Sequence, residues 1–141
     1  MQVYAVIDTN VIISALISKN PDSAVVKVMN EVLDGRITPL YHDDIIAEYK
    51  EVLGRKKFHL DKELIDVVIG SVITNGIEVF PKPTGEIFVD MDDLIFYEVA
   101  MEKRDDNTYL VTGNMKHYPL KEFIVTPSQM IDILDKQESN D

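Results

Sequence analysis

The sequence contains no cysteine and no tryptophan, and it has only three histidines. Without cysteine, the chain can form no disulfide, zinc finger, iron–sulfur cluster or thiol nucleophile. No stretch approaches the ~20 apolar residues that span a bilayer. The N-terminal segment also lacks the basic region of a secretory signal. Together these absences predict a cytoplasmic protein that does not associate with a membrane.

Positive charge is scarce as well, with 14 Lys and Arg against 25 Asp and Glu, which gives a formal net charge of −11. This balance counts against a strongly basic nucleic-acid clamp and against binding to anionic membranes. It does not exclude a nucleic-acid substrate, because clustered carboxylates that hold a divalent metal also make a protein acidic. The 141 residues, 45% of them hydrophobic, predict one globular domain of ordinary size.

Short apolar runs alternate with amphipathic segments along the chain. Residues 3–7 form a continuous β-branched and aromatic run, which is typical of a strand buried on both faces. The other predicted strands cover residues 37–41, 77–80, 109–112 and 123–126. The predicted helices cover residues 10–17, 23–34, 43–53, 61–75, 90–103 and 127–136. This alternation predicts an α/β fold with βαβ crossovers and a mostly parallel sheet covered by helices.

Local signals add expectations about particular residues. Pro39 lacks the backbone N–H that a central strand uses, so its strand is expected at an edge of the sheet or Pro39 at a strand end. The segment from Thr126 to Gln129 matches a capping box with proline at the first helical position. The last residues are polar, so we expect one domain over residues 1–136 and a frayed polar tail over residues 137–141.

Polar residues cluster where such a sheet places its ligands, outside the carboxyl ends of the strands. Asp8 directly follows the first strand, and Asn114 follows the strand at 109–112 within two residues. Several acids crowd the start of the helix before that strand, and one more lies mid-helix beside a stripe expected to face the core. The candidate set is Asp8, Glu48, Asp90, Asp92, Asp93 and Asn114.

Each member of this set also has an ordinary structural explanation. Asp8 could form a turn or cap the next helix, and Asp92 and Asp93 could complement a helix N-terminus. Glu48 could extend to solvent or pair with a lysine, and Asn114 could be a turn residue. None of these explanations requires the groups to converge, so convergence is the property that distinguishes a site.

Convergence of three or more carboxylates would require a proton or a cation. Two carboxylates about 5 Å apart repel by roughly 3 kcal/mol at an effective dielectric constant near 20. Oxygen-only ligation, without cysteine or paired histidines, suits Mg²⁺ or Mn²⁺ better than Zn²⁺. Such ions polarise phosphoryl oxygens and activate water, so the pattern favours metal-assisted hydrolysis of phosphodiesters.

The candidate residues lie in four short segments, which are Val6-Ile-Asp8-Thr-Asn10, Ile45-Ile-Ala-Glu48, Asp90-Met-Asp-Asp93 and Tyr109-Leu-Val-Thr-Gly-Asn114. In this order, the segments resemble the motifs of the PIN-domain family. They resemble the family's opening strand with Asp-Thr-Asn, the helix with its second acid, the segment with its third acid and the strand end that usually carries a fourth. The resemblance extends over residues 3 to about 130, which is nearly the whole chain.

The resemblance implies a three-layer α/β/α sandwich and a ribonuclease that depends on Mg²⁺ or Mn²⁺. It is closest to the group described as toxins of toxin–antitoxin pairs, which implies an RNA substrate and a partner antitoxin. The implied metal ligands are Asp8, Glu48 and Asp93, with Asp92 or Asp90 as a substitute for Asp93 if the register is shifted. Asn10 is implied as a polar group that orients Asp8 or the bound water.

Asn114 stands where many family members have aspartate. Its amide oxygen can still bind a metal, but it adds no charge, and this favours one bound ion over two. Positive charge for RNA phosphates could come from residues 55–57 or from Lys116 and His117. Residues 55–57 are explained equally well as a solvated cluster at a helix C-terminus. His117 could act as a general acid, but a loop histidine bonded to the backbone is the favoured expectation.

Two other interpretations remain open from the sequence. The first is a catalytically weakened PIN-like module that binds RNA or protein without cutting it, for which Asn114 is the motivating feature. The less favoured one is a Mg²⁺-binding, receiver-like regulatory domain, although Asp8 is not part of an acidic pair and the strand at 77–80 ends in Pro81. The apolar helices at 23–34 and 61–75 offer surfaces for a homodimer.

Overall fold

The computed structural model describes residues 1–140 and contains a five-stranded parallel β-sheet. The strands are β1 (Val3–Ile7), β2 (Ile37–Tyr41), β3 (Ile77–Glu78), β4 (Thr108–Val111) and β5 (Ile124–Val125). They lie in the order β3-β2-β1-β4-β5, and each neighbouring pair is parallel. The apolar run of β1 therefore occupies the middle of the sheet, as its continuous burial requires.

Helices cover both faces of this sheet. They are α1 (Thr9–Ile17), α2 (Ala24–Leu33), α3 (Asp43–Leu53), α4 (Lys62–Asn75), α5 (Leu94–Glu102) and α6 (Pro127–Asn140). Helix α2 packs on α1 and α6, α3 packs on α4, and α5 lies against β1 and β4. The predicted α/β/α sandwich is thus confirmed. None of the helices within residues 1–140 is both long and apolar enough to cross a bilayer.

The register of β1 and β4 sets up the carboxyl edge of the sheet. Ile7 pairs with Val111, so the residues that follow these strands, Asp8 and Thr112, lie opposite each other. The backbone N–H of Asp8 extends the ladder by donating to the Val111 carbonyl at 2.9 Å. Two polar side chains therefore leave the sheet side by side at its centre.

The prediction that β2 is an edge strand or that Pro39 lies at a strand end is wrong, because β2 lies between β1 and β3 and Pro39 is in the middle of β2. Strand β3 is short and pairs only with Leu40 and Tyr41. At Pro39 the sheet therefore continues only on the β1 side, where Pro39 pairs with Ala5. A proline is tolerated in this inner strand because the neighbouring strand β3 begins to pair with β2 only at the next residue, Leu40.

The capping box at the start of α6 is confirmed by two reciprocal hydrogen bonds. Thr126 N donates to Gln129 Oε1 at 2.9 Å, and Gln129 N donates to Thr126 Oγ1 at 3.2 Å. The predicted end of this helix at Lys136 is wrong, since α6 continues to Asn140. Glu138 pairs with Arg36 at 3.3 Å, and this contact favours the longer helix. Asp141, the last residue of the predicted tail, lies outside the described residues.

Gly76→Ala is expected to destabilise the fold by about 1 to 3 kcal/mol, the usual range for overpacking. A β-carbon at Gly76 would lie 2.5 Å from the Pro39 carbonyl oxygen, in the close approach of the α4 C-terminus to β2. Gly70→Ala in the same helix is the matched control, because a β-carbon there meets nothing within 4 Å. It should be neutral or slightly stabilising. Urea denaturation compares the two, and equal stability of both variants would contradict this account.

Candidate metal centre

Asp8 is a buried carboxylate at the carboxyl end of the central strand, with 5% of its surface exposed. It occupies the N-cap position of α1, but its side chain makes no capping hydrogen bond. Its Oδ2 instead accepts from Thr112 Oγ1 at 2.7 Å, from the Tyr118 hydroxyl at 3.0 Å and from Asn10 Nδ2 at 3.3 Å. The Asp8 carboxylate is therefore positioned by these three donors and does not cap α1.

Asn10 connects Asp8 to the end of β4. While its Nδ2 donates to Asp8, its Oδ1 accepts from the backbone N–H of Gly113 at 3.0 Å. A β-carbon at Gly113 would lie 3.3 Å from this Oδ1, so the glycine provides the space that the Asn10 amide occupies. The amide is fixed at both of its ends, and it can orient Asp8 as the sequence predicts for it.

Glu48 is placed by its neighbour Tyr49, which anchors α3 to the sheet. Tyr49 is 1% exposed, and its hydroxyl donates to the carbonyl of Ile7 at 2.5 Å, one residue before Asp8. Glu48 itself is half-buried. Burial raises the pKa of Glu48, and the negative charges of Asp92 and Glu51 raise it further. Helix α3 thus brings a second carboxylate toward the same edge of the sheet.

Asp93 lies at the start of α5, and its side chain makes no capping hydrogen bond there. Burial, followed by the charges of Asp8 and Asp90, raises the pKa of Asp93 to about 6. Its Oδ2 lies 3.2 Å from Nδ1 of His117, which offsets part of this rise. The expectation that the His117 ring bonds to the backbone is therefore wrong, since it pairs with an acid.

The remaining members of the candidate set, Asp90, Asp92 and Asn114, are exposed. Asp90 caps the short 3-10 helix Met91–Asp93, because its Oδ1 accepts from Asp92 N at 3.0 Å. Asp92 is exposed, and its charge acts on Glu48. Asn114 is also exposed, and its backbone N–H donates to Thr112 Oγ1 at 3.0 Å. Asn114 therefore lies at the protein surface, next to the site.

The acids interact electrostatically without forming a closed ligand set. The charge of Asp8 acts on Asp93, and the charges of Asp90 and Asp92 act on Glu48. Within residues 1–140, however, no three His, Asp or Glu side chains lie close enough together to hold a metal ion as they stand. The donors are all oxygens, which suits Mg²⁺ or Mn²⁺. A divalent cation would relieve the repulsion among these carboxylates, so the chemistry of the donor set fits such an ion.

The basic side chains near the acids differ in whether an acidic side chain already pairs with them. Arg55 pairs with Glu51 of the same helix at 2.8 Å, as expected of a solvated cluster at a helix end. Lys116 is exposed and lies between Met115 and His117 in the turn that contacts Asp93. Lys116 is the better-placed cation for a polyanionic ligand.

The sequence did not indicate three hydroxyl groups near Asp8. Those of Thr112 and Tyr118 donate to Asp8 itself, and that of Tyr49 donates to the carbonyl of the preceding residue, Ile7. Thr112 could have been found, because the parallel register puts the residue after β4 beside the residue after β1. Tyr49 and Tyr118 carry no local signal, since an aromatic residue in a buried stripe is usually only part of the core. Burial and the charge of Asp8 raise the pKa of both tyrosines, so each hydroxyl stays protonated and donates.

Comparison with known proteins adds one match. A family model described as PIN domain matches residues 4–116 of the chain. These residues include the three acids Asp8, Glu48 and Asp93, and also Thr112, which donates to Asp8. Among curated proteins, none matches the chain.

Proposed function

The chain belongs to the PIN-domain family, and we propose that it is a divalent-metal-dependent endoribonuclease that hydrolyses phosphodiester bonds in RNA. Family membership supports a nuclease of the metal-dependent type in general. The observation that carries the proposal is Asp8, a buried carboxylate held by three side-chain donors, whose charge acts on Asp93. A purely structural acid at this position would not need a second acid, only partly compensated by His117, within range of its charge.

The proposed ligands are Asp8, Glu48 and Asp93, with exposed Asp92 as a substitute. Asp8 is fixed by its hydrogen bonds, whereas Glu48 and Asp93 are half-buried and can change rotamer. Asn114 is neutral, so the site is proposed to hold one Mg²⁺ or Mn²⁺. When bound, the ion would supply charge neutralisation at the phosphoryl oxygens and activation of water.

The protein's own groups provide position and charge around the reacting phosphate. Thr112 and Asn10 hold Asp8 in one orientation, which reduces the rearrangement that binding requires. Lys116, exposed beside the Asp93–His117 pair, is proposed to contact a substrate phosphate. The departing 3′ oxygen takes its proton from solvent, and the product carries a 5′-phosphate.

One alternative remains a candidate and another is excluded. Because the exposed Asn114 lacks charge, a weakened PIN domain that binds RNA without cutting it is the second candidate. The receiver-like interpretation is wrong, because receiver domains have the strand order 2-1-3-4-5, whereas this sheet has the order 3-2-1-4-5.

We also propose that the enzyme acts in the cytoplasm as the toxin of a toxin–antitoxin pair. The support is the sequence resemblance described above. Exposed apolar side chains on α2 and α4, such as Leu33 and Val67, offer a surface for an antitoxin or for a second copy of the chain. A neighbouring gene whose product binds this chain and inhibits it would favour the toxin role over a role in RNA processing.

The direct test is cleavage of single-stranded RNA by the purified chain. We expect cleavage with Mn²⁺ or Mg²⁺, loss of cleavage with a chelator, and products that carry 5′-phosphate ends. RNA binding without cleavage under every divalent ion would contradict the nuclease proposal and favour the weakened module.

A further inference from the structure

The turn after β4 contacts two acids of the candidate site through adjacent residues. It consists of the short 3-10 helix Met115–His117 followed by Tyr118. The Nδ1 of His117 lies 3.2 Å from Asp93 Oδ2, and the Tyr118 hydroxyl donates to Asp8 Oδ2 at 3.0 Å. The position of this turn therefore affects both acids.

An irregular segment, the strap of residues 79–90, packs against the Tyr118 ring. Phe88 of the strap is buried, and its ring centroid lies 5.8 Å from that of Tyr118 in an edge-to-face arrangement. Phe88 also lies 5.3 Å from the ring of Tyr97 in α5. The neighbours Ile87 and Val89 are exposed, so Phe88 is the inward contact of this part of the strap.

Two carboxylates of α5 attach the strap at its other end. Glu102 Oε1 accepts from the backbone N–H of Lys82 at 3.0 Å, and Glu98 Oε2 accepts from that of Thr84 at 2.6 Å. Helix α5 directly follows Asp93. The strap, α5 and the turn therefore form one packed unit around Asp8 and Asp93.

We propose that Tyr118 is a positioning residue for Asp8, and that Phe88 holds the Tyr118 ring in place for this role. The inference rests on the proposed function, because the orientation of Asp8 matters to the reaction only if Asp8 binds the ion. Within residues 1–140, the three side-chain donors of Asp8 all bind Oδ2, and none of these side chains occupies Oδ1. Without the Tyr118 hydroxyl, the carboxylate is held less firmly.

The test measures Mn²⁺ affinity of the purified full chain by isothermal titration calorimetry. Tyr118→Phe keeps the ring and its packing but removes the donor, so the dissociation constant should rise about tenfold, as for other groups that orient a metal ligand. Phe88→Leu keeps apolar volume but removes the edge-to-face contact, and the constant should rise about threefold. Because Phe88 acts through the hydroxyl, the double variant should bind like Tyr118→Phe alone.

Tyr109→Phe is the matched control for loss of a tyrosine hydroxyl. Tyr109 donates to Asn107 Oδ1 at 3.3 Å, at the amino end of β4 and far from the acids. This variant should bind Mn²⁺ like the wild type. The melting temperature of each variant, expected within about 5 °C of the wild type, separates weaker binding from a weakened fold. If Tyr118→Phe does not fold, the loss of affinity in Phe88→Leu carries the test alone.

The outcomes separate this inference from the proposed function. If Asp8→Asn abolishes Mn²⁺ binding while Tyr118→Phe and Phe88→Leu bind like the wild type, the inference is overturned and the metal site remains. Additive losses in the double variant overturn the role of Phe88. If the wild type and Asp8→Asn bind Mn²⁺ equally, the metal site itself is lost and the inference with it.

Discussion

Asp8→Asn is expected to reduce metal-dependent RNA cleavage by at least about 100-fold. Asparagine has nearly the same shape as aspartate and can still accept hydrogen bonds from Thr112 and Tyr118, which now bind Asp8 Oδ2. The variant should therefore fold, but it lacks the charge that a divalent ion requires from its most buried ligand. Initial rates with a labelled single-stranded RNA in Mn²⁺ measure the effect.

Asp66→Asn provides the control for this substitution. Asp66 is exposed on α4 and is not one of the candidate acids, so its variant should cleave like the wild type. Equal rates for Asp8→Asn and the wild type would show that any observed cleavage comes from a contaminant or from another site.

Asp93→Asn is expected to have opposite effects on stability and on function. Burial and the charge of Asp8 raise the pKa of Asp93 from an ordinary 3.8 to about 6 in the folded protein. Between these two values the folded state binds more protons than the unfolded state, so stability falls as the pH rises. Above pH 6 the ionised carboxylate is fully destabilising, and its replacement by a neutral amide removes that effect.

The expected gain at pH 7.5 without divalent ions is about 1 to 2 kcal/mol, reduced from the full linkage value because Asp93 is partly exposed to solvent. Added Mn²⁺ should reverse the order, because it stabilises the wild type by binding and has lost one ligand in the variant. Urea denaturation with and without Mn²⁺ measures both effects. A variant that is less stable than the wild type at pH 7.5 in the absence of Mn²⁺ would contradict the claim that burial and the neighbouring acids destabilise the ionised Asp93 carboxylate.

The fold was largely predictable because its elements carry strong local patterns. The apolar run of β1 predicted a strand buried on both faces, and the capping box predicted the start of α6 at Pro127. The position of β2 was not predictable from Pro39, because it depends on where the distant strand β3 begins to pair. The C-terminal extent of α6 depends on Glu138 and Arg36, which are far apart in the sequence.

The acids of the candidate site were predictable from the sequence, but the groups that form hydrogen bonds with them were not. Asp8 follows a buried strand, and Asp93 starts a helix, so both have signals in the local sequence. Tyr118 reaches Asp8 from 110 residues away in the chain, and no pattern around it distinguishes it from an ordinary core aromatic. Partners of this kind become visible only when the tertiary structure brings them together.

The most direct test of the shared metal site is anomalous diffraction from crystals of the chain soaked in Mn²⁺. The account predicts one manganese peak with oxygens of Asp8, Glu48 and Asp93 as its ligands, and with Tyr118 still bonded to Asp8. A peak elsewhere, or no peak while the three carboxylates remain apart, would contradict it.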